Sequence, residues 1–483
     1  MDKCDKKLEL LESAPIPKAL TALGIPIMIG MLINALYNLV DAYFVSGLGE
    51  RQMGAISVVF PLGQVVVGVG LMFGNGAASY LSRLLGKGDK TRADKVASTA
   101  LCSSVLLGAS LVFVSALLLK PILFFLGATE TMLPYALSYA RIYVISSVFN
   151  VFNVTMNNIV SSEGAAKTTM CALLSGAVLN IGLDPVFIYT FGLGAAGAAI
   201  ATAISQLISA MVYLFYVIRG KSAFAFRLKN FAPDREMLAE IFKIGVPTLV
   251  FQIFTSVSIA LINRAANDYG DAVIAGMGAV TRITAMGTLV VFGFLKGFQT
   301  IAGFSYGAKK YGRLREAIRI SVLWSTIFCV TAGALLAAFS AHIIAGFAGG
   351  NREIMSVGQK ALIANGVSFF FFGFYTVYAS LFLALGRGAA GFLLGACRQG
   401  ICFVPVILIL PAVWGIDGIC CAQPAADVLA AMITVFAAVS VHRALAGEEK
   451  LFLCDKANRG HETGTGHSGT ERGETTGRES NTK

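Results

Sequence analysis

Charged side chains make up only 13% of the 483 residues, about half the share usual in a soluble domain. Histidine occurs four times, and His342 and His442 stand alone near the ends of apolar runs, which leaves no histidine-based metal or acid–base cluster. Nucleophile motifs, phosphate-binding glycine loops and metal-ligand spacings are absent, so the chain is not expected to be an enzyme. The nine cysteines fall mostly inside apolar stretches, as Cys102, Cys171, Cys329, Cys397, Cys402, Cys420 and Cys421 do. None has a ligand-spaced neighbour, so they read as small hydrophobes rather than a disulfide framework. The first twenty residues are basic and polar with no cleavage site, and no removable leader is expected.

What is abundant is apolar sequence: 56% of residues are hydrophobic, gathered in long repeated runs. About 20 apolar residues suffice to cross a bilayer, and twelve runs reach that length, from 23–46 to 416–441. The alternating pattern of a membrane barrel is missing, so the fold class is an all-α polytopic membrane protein. Net charge is +11, but the basic residues collect in alternate loops. One side receives Lys3, Lys6 and Lys7, then Arg83 to Lys95, Arg219 to Arg235, and Lys309 to Arg315. This is the positive-inside pattern; it places both termini in the cytoplasm and argues against a nucleic-acid partner.

The chain repeats itself. Gly24 and Pro26 match Gly245 and Pro247, 221 residues later. At the same offset Gly76 meets Gly297, Gly86 meets Gly307, Arg92 meets Arg313, and Gly194 and Gly197 meet Gly415 and Gly418. A unit of six spans has been duplicated, and an even number of spans gives both copies one orientation. The expected organisation is a cytoplasmic segment 1–20, an N-lobe 21–218, a cytoplasmic linker 219–243, a C-lobe 244–443 and a disordered polar tail 444–483. Two lobes about a central cavity suit a secondary transporter that works by alternating access; no channel-type filter sequence is visible.

Polar residues inside the spans mark where such a protein would act. In the first span Asn34, Tyr37, Asn38 and Asp41 recur every three or four residues and share a helical face. A carboxylate there costs roughly 2.5–3.5 kcal/mol to insert. The fifth span holds Asn180 and Asp184 four apart, again on one face. The repeat supplies a control: the twins of Asp41, Asn180 and Asp184 are Ile262, Ile401 and Pro405, while Tyr139 and Thr202 map to Lys360 and Gln423. A purely architectural role would be expected in both halves, so the acidic set reads as functional and the second lobe as lacking it. Carboxylate, amide and hydroxyl oxygens suit a hard cation, and two carboxylates sharing one pocket favour uptake of a proton. Gln64, Asn153, Asn157, Gln206 and Lys296 are further cavity candidates. Arg398 could pair with Asp417 or Asp427, and Glu163, at a span end, reads as structural.

These residues lie within a longer resemblance. The segment NLVDAYFVSGLG from Asn38, the loop YLSRLLGKGD, LNIGLDPVFI, GFQTIAGFSYGAKK, and CRQGICFVPVILILP followed by WGIDGICCAQPAAD together resemble the multidrug and toxic compound extrusion (MATE) transporters, from Ile16 to Val441. The resemblance implies a cation-coupled antiporter that exports diverse organic, often cationic or aromatic, compounds across the cell membrane. It places the coupling residues, and an Na⁺ or proton site, on Asp41, Tyr139, Asn180, Asp184 and Thr202, and a hinge on Pro26. The substrate cavity would include Tyr37, Asn34, Gln64, Asn153, Asn157, Gln206 and Lys296. No cofactor beyond the coupling ion and no partner beyond membrane lipid and small-molecule substrates is implied, and a monomer is expected. The alternative is a flippase for lipid-linked or lipid-like substrates, which would be expected to ring its cavity with cations.

Overall fold

The structure is a computed structural model that describes residues 3–464, apart from 49, 127, 349 and 350. Among the described residues it is helical, without strands. Six long helices form the first lobe: α1 (Ile16–Ser46), α2 (Glu50–Lys87), α3 (Lys90–Leu117), α4 (Leu133–Ser162), α5 (Ala166–Thr190) and α6 (Gly194–Ile218). The second is formed by α7 (Arg235–Asn267), α8 (Asp271–Gly307), α9 (Tyr311–Ala338), α10 (Arg352–Ala384), α11 (Gly388–Trp414) and the part of α12 (Ile416–Gly464) up to Val435. Short helices Lys3–Glu12, Leu119–Phe125 and Ser340–Ala348 and a 3-10 turn at Leu228–Asn230 complete the described helical segments.

The duplication survives in detail. α3 and α9 start and stop 221 residues apart, as do the first residues of the short helices after them. Gly194, the first residue of α6, and its twin Gly415, just before α12, both have positive φ, 55° and 58°, a conformation that side chains resist and glycine accepts. Where the lobes meet, a Cβ on Gly86 would lie 2.1 Å from the Phe304 carbonyl oxygen. A Cβ on Gly307 would lie 2.1 Å from the Arg83 carbonyl oxygen. Each contact is the 221-residue twin of the other, which is what a pseudo-twofold axis requires.

Among the described residues, eleven helices are long and apolar enough to cross a membrane. α4 is the exception: it has 30 residues, but Arg141, four asparagines and several serines dilute it. Its polar face is turned inward, with Asn153, Asn157 and Asn158 buried, against α2, α3 and α6. Exposed Leu106, Phe113, Phe215, Leu323, Ile327 and Leu408 give the outer surface the apolar character that lipid tails require.

Three boundaries differ from those read in the sequence. α1 starts at Ile16 rather than in the twenties, because Pro17 occupies the first turn, where its missing N–H costs nothing. α7 starts at Arg235, inside the expected linker 219–243. What remains of that linker is fixed to α3: the Ala225 N–H donates to Asp94 Oδ1 at 2.8 Å and Ser98 Oγ to the Ala225 carbonyl at 3.1 Å. By packing, the chain divides into Met1–Val435 and Phe436–Lys483. In the second unit α12 runs to Gly464, so the tail expected to be disordered from 444 is helical that far. Its Ala, Leu, Glu and Lys are good helix formers, a preference that low hydrophobicity does not cancel. The remaining tail residues, 465–483, lie outside the described residues.

Candidate functional site

α5 ends in a built-in defect. Pro185 has no N–H to donate, and the helical ladder slips into a π-turn over Val186–Thr190. Such turns recur at functional sites. Asp184 sits just before it, fully buried, and Asn180, one turn earlier, is also buried. Asn180 Nδ2 lies 3.4 Å from Asp184 Oδ1. Across from them, Asp41 of α1 faces Asp184, close enough for the two carboxyl groups to interact. Two carboxyl groups in such contact need a proton or a cation between them, since two carboxylates only accept.

The pocket is short of donors. Asp41 Oδ1, Asp184 Oδ2 and Asn180 Oδ1 are all buried, and none has a hydrogen-bond partner among the described residues. Buried oxygens are nearly always satisfied, so three converging orphans fit a group that brings positive charge. Tyr37 and Tyr139 lie beside the pair, and Tyr139 stacks on Tyr143 with ring centroids 5.7 Å apart. The sequence-predicted coupling set is therefore brought together on α1, α4 and α5, and Thr202 of α6 lines the cavity next to it.

That cavity, of about 640 Å³, lies between the lobes. Asn34, Tyr37, Gln64, Asn153, Asn157, Gln206 and Lys296 all line it. Asp41, Asp184 and Tyr139 do not; Tyr37 and Asn180 stand between them and the open space. Several lining groups hold one another. Asn153 Nδ2 donates to Gln206 Oε1 at 2.7 Å, Gln252 Nε2 to Gln64 Oε1 at 2.6 Å, and Lys296 Nζ to Asn157 Oδ1 at 2.7 Å. Pro26 lies within α1 where that helix crosses α8: Gly24 abuts Phe294, and Gly293 abuts the Met28 backbone.

The second lobe has a charged site that the twin comparison missed. Arg398 sits in a π-turn of α11, Cys397–Ile401, and faces the cavity. Its Nε lies 2.8 Å from Asp427 Oδ1 of α12. Gln423 Nε2 donates to the same carboxylate at 2.9 Å and Ser368 Oγ at 3.0 Å, while the guanidinium stacks 4.7 Å from the Phe372 ring centroid. The second lobe thus holds a membrane carboxylate after all, at the twin of Gln206 rather than of Asp41. The four-residue step from Gln423 to Asp427 was the signal. Lys360, twin of Tyr139, forms an exposed ion pair with Asp417 at 2.9 Å. Glu163 is structural: buried beyond the end of α4, it accepts from Tyr216, Ser222 and the Ala223 N–H and pairs with Lys7. Burial pushes its carboxyl above the usual range against the pull of Lys7.

The lobes grip each other at the end where basic loops gather. Arg83 Nη2 lies 3.0 Å from Glu240, and Arg92 Nη2 lies 2.9 Å from Glu236. Arg313, twin of Arg92, donates to the carbonyls of Leu11 and Ala14. Ser79 Oγ donates to the Leu383 carbonyl.

A MatE family profile matches residues 26–186 and 247–409, one block in each lobe. The chain is 28% identical over 442 residues to the multidrug export protein MepA of Staphylococcus aureus, covering 89% of this chain and 96% of that protein. Against the MepA of Staphylococcus saprophyticus it is 28% identical over 444 residues, with the same coverage. Among solved structures, MATE in complex with MaL6 superposes with a TM-score of 0.88 at 27% identity, over 92% of this chain and 99% of that one. The outward-facing conformation of a multidrug resistance MATE family transporter gives 0.87 at 27% identity, with the same coverage.

Proposed function

Because the chain belongs to the MatE family, we propose that it is a multidrug exporter of the cell membrane, driven by H⁺ or Na⁺ moving the other way. The observation that carries the coupling is the trio of orphaned oxygens on Asp41, Asn180 and Asp184. With the site empty, the two carboxylates repel each other and hold α1 and α5 apart. A proton or an Na⁺ satisfies them and draws α1 onto α5. α1 crosses α8 at closely packed glycines, so its shift is passed to the second lobe and to the cavity wall. Thr202, which lines the cavity together with Asn180, would complete the oxygen set for Na⁺. Taking the basic side as cytoplasmic, the grip at Arg83, Arg92 and Arg313 seals the cytoplasmic end, and the cavity faces outward.

A cavity of about 640 Å³ is in the range of sites for drug-sized molecules. A flippase handling a pyrophosphate headgroup would need several unneutralised cations; here Asp427 neutralises Arg398, which leaves Lys296. The test is dye efflux from vesicles under an imposed pH gradient alone and an imposed Na⁺ gradient alone. Asp41→Asn and Asp184→Asn should each lower the driven rate by about tenfold or more, the order expected when a buried charged group is lost. Normal pumping by both variants would sink this reading.

A further inference from the structure

We propose that Lys296 and Gln299 form a carboxylate-binding subsite in the cavity, so that its ligands include amphiphiles carrying one anionic group beside an aromatic body. The proposal deepens the exporter reading by naming a substrate class for the same cavity.

Lys296 and Gln299 are three residues apart on α8 and both line the cavity, as an i, i+3 pair on one helical face must. The Lys296 ammonium has three donors, and the described residues give it one acceptor, Asn157 Oδ1. No carboxylate of the described residues forms an ion pair with it. Gln299 Nε2 is buried with no hydrogen-bond partner among the described residues, a rare condition for a donor. One cation with donors to spare and one orphaned amide N–H₂ are the complement of the two oxygens of a carboxylate.

The count of charge points the same way. Arg398, the other cavity cation on α11, is neutralised by Asp427. The amides that α2 and α4 contribute to the cavity lining, Gln64, Asn75, Asn150, Asn153, Asn157 and Asn158, are all neutral. A surplus of one positive charge suits a monoanion. Beside it, Phe292 and Phe372 line the cavity with ring centroids 6.1 Å apart, an apolar wall for an aromatic body. A phospholipid phosphodiester is also a monoanion, and the experiment must separate the two.

The test compares rhodamine B, which carries a free carboxylate, with its methyl ester, in which only that charge is masked. Binding is read by fluorescence anisotropy on the full chain in nanodiscs. Wild type should favour the acid. Lys296→Gln should lower the acid-to-ester affinity ratio by about tenfold, the order of a charge-assisted contact. Gln299→Leu should lower it by about threefold, the order of a neutral hydrogen bond. Lys296→Arg should retain most of it. An unchanged ratio in Lys296→Gln overturns the proposal, as does an equal loss for both dyes. Lys296-dependent binding of a fluorescent phosphatidylglycerol, with none of rhodamine B, also overturns it and assigns the subsite to lipid. If Lys296→Gln does not fold, an unchanged ratio in Gln299→Leu decides against it. Because the ratio is an equilibrium measurement, it stands apart from efflux: wild type that moves neither dye in vesicles counts against export, not against the subsite.

Discussion

Arg398 and Asp427 show how a buried ion pair is judged by what remains when one partner goes. The carboxylate is 5% exposed and accepts from Arg398, Gln423 and Ser368. Asp427→Asn leaves the guanidinium without a counter-charge, and one-sided loss of a buried pair costs about 3–5 kcal/mol. Replacing both at once, Arg398→Met with Asp427→Leu, removes the unpaired charge and should cost less than Asp427→Asn alone. Unfolding of the purified protein in detergent measures this, and a double variant less stable than the single one would contradict it. The Asp41 and Asp184 site could be read beforehand because the repeat showed apolar residues at both twin positions. That comparison looks only at matched positions, so it was blind to Asp427, whose twin Gln206 is polar too. Gln299 carried no signal at all: only a structure shows that its amide nitrogen has nothing to bond.

At the scale of helices, glycine decides how closely the lobes can meet. Gly86 of α2 and Gly307 of α8 each face a carbonyl oxygen of the other helix with no space for a Cβ. Gly86→Val and Gly307→Val should therefore both separate these helix ends and shift the population away from the state closed on the basic side. Spin labels at Lys87 and Lys310 would report it: the interspin distance should lengthen in both variants, and by similar amounts, because the two contacts are twins. A shift in only one variant would mean that the pseudo-twofold does not govern the interface. The offset of matched glycines made this repeat legible without a structure. The π-turns at Val186–Thr190 and Cys397–Ile401 were not legible. The first follows a proline and could have been read as a break, but the second has no proline within it to mark it. α4 was placed as a span by length, and its low hydropathy turned out to reflect an inward polar face rather than a loop.

For the whole molecule, the decisive feature is that the grip between the lobes at the basic end includes groups able to separate. Arg92 and Glu236 are 2.9 Å apart, yet their side chains are 36% and 71% exposed. Exposed pairs of this kind contribute only about 0–1 kcal/mol each, weak enough for ion binding near Asp41 to reverse the closure. A population moved from 1:99 to 99:1 needs about 5.5 kcal/mol of differential binding, within reach of a site that satisfies several buried oxygens. If transport requires this end to open, tying it shut should stop the cycle without emptying the cavity. Arg92→Cys with Glu236→Cys, in a background where Cys4, Cys171 and Cys454 are replaced, can be bridged by a reductant-cleavable bis-thiosulfonate linker. Efflux in vesicles should fall to about a tenth or less, the reach of one kinetic step closed off. Binding of a cationic dye should persist, and reductant should restore flux. Efflux that continues with the bridge intact would show that these lobes do not have to part at the basic end for substrate to pass.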